Sequence, residues 1–284
     1  MNLLVILIVL GLQQSGLGRE APATVARLMR RWRDAWLARG SREGWHGAVV
    51  LGLVVLPPLL LVLAAVVALH GVAYGLPASG IALLVMLLVL LDRARPDALL
   101  REQEAWLAAD ERSGSLLAQA DSHLLAEAAT LELARARRGL LAEQLQEVFA
   151  PLFWFLLLGP VAAIAYYFLR LGAEAGQQPA AVAARRLLHY ADWPVARALA
   201  LSFALAGDFV VTWQRWRSQV LDTDIAAVAL LDDCAGAAQP ADLRLPADTL
   251  PGPALVNALA ATAALLHRAL VIWVVLLALH TLWP

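Results

Sequence analysis

The sequence predicts an all-α, polytopic helical membrane protein with four to five spans, an N-terminal half-span and a small cytoplasmic helical hairpin. Three observations carry this. The 284 residues are 61% hydrophobic and 16% charged, against about 45–50% and about 25% for soluble domains, so the chain holds more apolar surface than a soluble core takes in. The apolar residues gather in uncharged runs close to the roughly 20 residues a helix needs to cross a bilayer. Arginines gather unevenly between those runs, as in chains oriented by the positive-inside rule.

Asn2–Leu12 is apolar, yet 11 residues make only about 16 Å of helix. Lacking a basic n-region and a small-residue cleavage site, it reads as a retained re-entrant or packed half-span. Thr24 is placed to cap a helix running to Ala38, with Gly40 as its stop. Val25, Leu28, Met29, Trp32, Ala35 and Trp36 share one face of that helix, and Arg27, Arg30, Arg31 and Arg33 lie outside it. Two readings follow: an interfacial helix whose Arg27, Arg30, Arg31, Trp32 and Trp36 sit at the membrane surface on anionic lipid, or a helix packed on the protein's own cytoplasmic domain. Ala48–Leu69 is a charge-free span. Val72–Leu91, also uncharged but holding Gly75, Pro77 and Gly80, reads as the kinked return helix of a hairpin.

From Asp97 to Glu147, Leu124, Leu125, Ala128 and Leu131 recur at helical spacing, and Ser113-Gly114-Ser115 breaks the run into a helical hairpin too short for a strong core of its own. Pro151–Leu169 is the third span, bent at Gly159-Pro160. Val195–Val211 is shorter and carries Arg197 and Asp208, so it is an imperfect span or a helix sunk between the others. Residues 239–253 form an extended connector. Asn257–Trp283 is the last span, interrupted by His267-Arg268. The domain division is therefore 1–47, half-span and interfacial helix; 48–91, transmembrane hairpin; 92–147, cytoplasmic helical segment; and 148–284, C-terminal membrane bundle. Residues 13–47 and 92–147 hold seven arginines each, which places both on the cytoplasmic side.

Composition excludes several chemistries. The formal net charge is −1, and all 22 basic residues are arginine, so there is no polybasic field for nucleic acid. There is also no lysine for a phosphate-binding loop or a Schiff base. Cys234 stands alone and makes no intrachain disulfide. No G-x-S-x-G, H-E-x-x-H or G-x-G-x-x-G pattern occurs, and no metal site is expected. Trp45, Trp193, Trp213, Trp216 and Trp283 lie near span ends, as an aromatic belt does.

Charged residues in or beside spans are the candidates for a ligand or polar cavity. Arg197 and Asp208 are 11 residues apart, which on one continuous helix puts them on the same face about 16 Å apart. Each then snorkels to an interface or faces a cavity. Glu143 and Glu147 share a helix face at the membrane surface, as a cation site or a solvated rim. Asp222, Asp224, Asp232 and Asp233 have a spacing that could hold Mg²⁺ in a loop, or they form a solvated acidic face.

Ala136-Arg137-Arg138 through Glu143-Gln144, Val148-Phe149-Ala150-Pro151-Leu152-Phe153-Trp154-Phe155, Gly159-Pro160, Tyr166-Tyr167 and Leu169-Arg170 form one set of matching segments. Asp192-Trp193-Pro194-Val195-Ala196-Arg197, then Ala204 to Phe209 and Trp213, extend it. Together they resemble the membrane protein family that contains the β-lactamase regulator AmpE, and more distantly the CobD/CbiB cobalamin-biosynthesis proteins. The resemblance implies a bacterial inner-membrane regulatory or signalling protein linked to β-lactamase induction and cell-wall fragment sensing. It adds Arg170 and Asp192 to the candidate residues. The implied partners are the lipid bilayer and a cytosolic muropeptide amidase or another regulatory protein, with no cofactor. The alternatives are an ATP- and Mg²⁺-dependent adenosylcobinamide-phosphate synthase and a non-catalytic membrane scaffold. Acids that the synthase pattern carries before A-P-L-F are reduced here to Glu143 and Glu147, which favours regulation.

Overall fold

A computed structural model describes residues 22–70, 134–176, 178–239 and 252–282, and every element in them is helical. The half-span at 2–12, the return helix at 72–91, the hairpin break at 113–115 and most of the connector at 239–253 lie outside the described residues. Three described helices are long and apolar enough to cross a membrane: Gly47–Ala68, Ala134–Leu158 and Leu259–Leu276.

Helix α1, Pro22–Glu43, starts on a proline, whose missing N–H costs nothing at a first helical position. It therefore begins ahead of Thr24, the expected cap. It also runs past Gly40, the expected stop, to Gly44, whose φ of 67° ends it. The Trp45 N–H then donates to the Gly40 carbonyl at 3.0 Å, closing a Schellman turn. Gly40 serves packing instead, since a Cβ there would overlap the Val50 side chain. Helix α2, Gly47–His70, is uncharged, and its outward Leu60, Leu61 and Val67 are exposed, as suits a lipid-facing surface.

The third apolar helix differs from expectation. Helix α3, Ala134–Leu158, begins well before Pro151, contains one π-helical segment at Leu145–Phe149, and ends at Gly159. Gly159 has φ 82° and ψ −166°, a conformation that side chains oppose, and Pro160 opens helix α4, Pro160–Ala173. Gly159-Pro160 is thus a boundary between two helices, not a bend within one span. Helix α5, Pro179–Ala206, carries Pro194 inside it.

The chain divides into two compact units. The first holds α1, α2, α3 from Leu145, α4, α5 to Val195, and the end of the last helix. Its core is built on α3 and α4 through Leu152, Phe155, Ile164 and Phe168. A small cluster of Leu37, Val50 and Ala180 ties α1 to the starts of α2 and α5, and a Cβ on Gly47 would strike the Pro179 backbone.

The second unit holds α3 up to Gln144, α5 from Ala196, α6 (Phe209–Gln219), α7 (Ala227–Ala238) and α8 (Gly252–Leu282) as far as Trp273. Here the continuous helix expected over 195–211 is absent, because α5 stops at Ala206. Gly207 lies so close to the Ala238 carbonyl that a Cβ would not fit, and Asp208 accepts from the Val211 N–H at 3.3 Å as the N-cap of α6. Arg268, the interruption in the last apolar run, donates to the Ala206 carbonyl at 2.8 Å and satisfies the open end of α5.

Candidate functional site

Within the first unit, side chains far apart in sequence meet in one buried polar network. Arg170 is its centre. It projects from the last turn of α4, is 6% exposed, and donates to the Gln146 carbonyl at 3.0 Å. It also lies 3.6 Å from Glu147 and 3.9 Å from Glu174. Gln146 and Glu147 sit in the π segment, where a wider turn disturbs the regular i→i−4 bonding and frees backbone for a side-chain donor.

Asp192 of α5 supplies the second half. It is 5% exposed, accepts from the Tyr166 hydroxyl at 2.6 Å, and accepts from the Gln146 amide at 3.3 Å. Gln146 thus joins the two halves, its carbonyl bound by Arg170 and its side chain bound to Asp192. Asp192 lies outside the three candidate spans, and burial pushes its carboxyl up to about 6. Hydrogen bonds from Tyr166 and Gln146 and the charge of Arg170 oppose that rise without cancelling it. From α1, Arg33 donates to the Leu171 carbonyl at 3.1 Å and lies 3.9 Å from Glu174.

Glu147, Arg170 and Asp192, three of the residues singled out from sequence, therefore share one network. Glu143 is half-buried on the part of α3 that belongs to the second unit. Arg197 and Asp208 are also in the second unit, on different helices. Arg197, 5% exposed, donates to the carbonyls of Val220 and Asp222 and so closes the end of α6, while Asp208 caps its start. The Trp216 indole donates to the Arg197 carbonyl at 3.0 Å, and its ring stacks on Trp213. The separation of Arg197 from Asp208 along one helix face does not apply, since the break at Gly207 lies between them.

Of the four aspartates, Asp222, Asp232 and Asp233 have side-chain partners, while the Asp224 side chain is exposed. Asp232 is buried, with one oxygen 2.5 Å from Arg137 and the other 2.8 Å from Arg138. This replaces the solvated face expected there. Asp233 accepts from Gln219 at 2.6 Å, and Asp222 accepts from the Asp224 N–H at 2.9 Å. Among the described residues no group of three His, Cys, Asp or Glu side chains is arranged to hold a metal ion. Burial pushes the Cys234 thiol up to about 12, so it stays protonated at neutral pH and is a poor nucleophile.

On α1, Arg27 and Arg31 are exposed, Arg30 and Trp36 are half-buried, and Trp32 packs edge-on against Trp36 at 5.6 Å. The Trp32 indole donates to the Val54 carbonyl at 3.3 Å. Arg33, counted on the polar side from sequence, turns inward to the network, while Leu28 is 62% exposed. One side of α1 thus packs on its own protein while Arg27, Leu28 and Arg31 remain outside.

Sequence reasoning missed Arg33, Gln146, Tyr166 and Glu174 as network members. One usable signal was present: Tyr166, Arg170 and Glu174 follow at i, i+4 and i+8 on an otherwise apolar helix, a polar stripe that must find partners. Comparison with protein-family models, with curated proteins and with solved structures finds no match.

Proposed function

We propose that this chain is a bacterial inner-membrane regulatory protein of the AmpE type, acting in β-lactamase induction and the sensing of cell-wall fragments. The observation that supports it is the assembly of Glu147, Arg170 and Asp192, residues in or beside the segments of the AmpE resemblance, into one buried network across α3, α4 and α5. Its hydrogen bonds and ion pairs run between groups on different helices, so they hold those helices in register. Such a set has a definite bonded arrangement, and a signal that breaks one link alters how the helices meet. A cytosolic muropeptide amidase or another regulatory protein is the proposed partner.

The test is a clean deletion, measured for β-lactamase induction by a β-lactam and, separately, for growth where corrinoid synthesis is essential. The regulatory reading expects a shifted induction curve and normal corrinoid-dependent growth. Unchanged induction together with corrinoid auxotrophy would replace it with the amide-forming synthase.

A further inference from the structure

Beside the buried network, the first unit carries an apolar groove of about 740 Å³ between α2, α3, α4 and α5. Its volume falls within the roughly 300–1,000 Å³ of small-molecule sites. It is lined by small residues, among them Gly52, Ala162, Ala165 and Ala183, and by large apolar side chains such as Leu158 and Leu187. Among the described residues no acidic side chain lines it, and Arg186 is the one charged lining residue. Arg186 is exposed and has no ion pair among the described residues.

The location of the groove says more than its composition. Its α2 wall runs from Ala48 to Leu56, the first turns of a candidate span that starts at Gly47. Gly47 abuts the Pro179 backbone, and Gly172 faces Leu51 and Ala184, so α5 descends beside α2 from the same end while α4 runs the opposite way. Arg186 therefore lies near the span end, and Leu158 and Ala162 lie deeper. A cation near the surface above an apolar slot matches an amphiphile with an anionic head and a hydrocarbon tail. Trp154 also lines the groove, and its indole N–H is buried with no acceptor among the described residues.

We propose that this groove binds one acyl chain of an anionic membrane glycerophospholipid, with Arg186 holding the phosphate. A guanidinium forks onto phosphate oxygens and stays charged near hydrocarbon, which suits it to that role. The proposal is independent of the regulatory reading, and its experiment does not use induction.

The experiment is native mass spectrometry of the purified full-length protein, titrated with phosphatidylglycerol and with phosphatidylcholine of identical chains. Wild type should prefer phosphatidylglycerol about tenfold, the scale of one charged hydrogen-bonded contact. Arg186→Gln should abolish that preference by weakening phosphatidylglycerol more than phosphatidylcholine, whose choline cation already offsets its phosphate, and exposed Arg217→Gln should retain it. Ala183→Leu, which fills the groove, should weaken binding of both lipids. Inorganic phosphate should not compete. Equal affinity for the two lipids, or a preference that survives Arg186→Gln, would overturn the proposal. So would competition by phosphate alone, which would mark a free-anion site, or undiminished lipid binding in Ala183→Leu, which would put the lipid elsewhere.

Discussion

Arg170→Ala tests the physical basis of the network. Arg170 is 6% exposed, and its guanidinium serves the Gln146 carbonyl at 3.0 Å, Glu147 at 3.6 Å and Glu174 at 3.9 Å. Removing one partner of a buried pair costs about 3–5 kcal/mol, because the remaining charge is left unpaired in a poor solvent. Glu147 and Glu174 keep side-chain exposures of 17% and 30%, so water recovers part of the loss and the lower end, about 3 kcal/mol, applies. At a few degrees per kcal/mol, the unfolding midpoint in detergent should fall by about 10 °C. Arg170→Lys, which keeps the charge and loses the fork, should fall between variant and wild type. The exposed control Arg217→Ala should stay within about 0.5 kcal/mol. A midpoint for Arg170→Ala within error of wild type would refute the claim that these contacts hold the unit together.

Further predictions concern the rest of the fold. Folding raises the Asp192 carboxyl from 3.8 to about 6, so the folded state binds that proton more tightly than the unfolded chain does. Stability should therefore fall by up to about 3 kcal/mol as pH rises from about 4 to about 6 and stay level above. Asp192→Asn should remove that slope in pH-resolved melting, and an unchanged slope would assign it to another group. Gly207→Ala should cost about 2 kcal/mol through collision with the Ala238 carbonyl, and Asp208→Ala about 1 kcal/mol through loss of the α6 cap. Thermal midpoints out of that order would argue against a break between α5 and α6. A reporter fused after Arg112 should read as cytoplasmic. Strong periplasmic phosphatase activity there would overturn the orientation drawn from the arginine counts.

Composition and charge-free length made the all-helical class and the first span readable, because both depend on local properties of the chain. Boundaries set by tertiary contact were not readable. Gly40 and Gly44 are four residues apart, and only the approach of Val50 shows which one packs and which one ends α1. Gly207-Asp208 is a break followed by a cap, but the surrounding apolar residues hid it inside an apparent span. The start of α3 was lost for the opposite reason, since Arg135, Arg137 and Arg138 resemble a solvated segment until Asp232 is found to take up two of them. The network itself was half legible. Glu147, Arg170 and Asp192 stand out as charges near apolar runs, whereas Gln146 has ordinary chemistry and gains its role from the π segment that carries it.

The measurement closest to the central claim is the β-lactam induction curve of a deletion strain complemented with wild type, Asp192→Asn or Arg217→Gln, with each protein's membrane level measured in parallel. Asp192→Asn, which keeps the fold and changes the charge at the heart of the network, should be present at normal levels and shift the curve, while Arg217→Gln should restore it. Full restoration by Asp192→Asn at wild-type abundance would contradict the claim that regulation runs through this network.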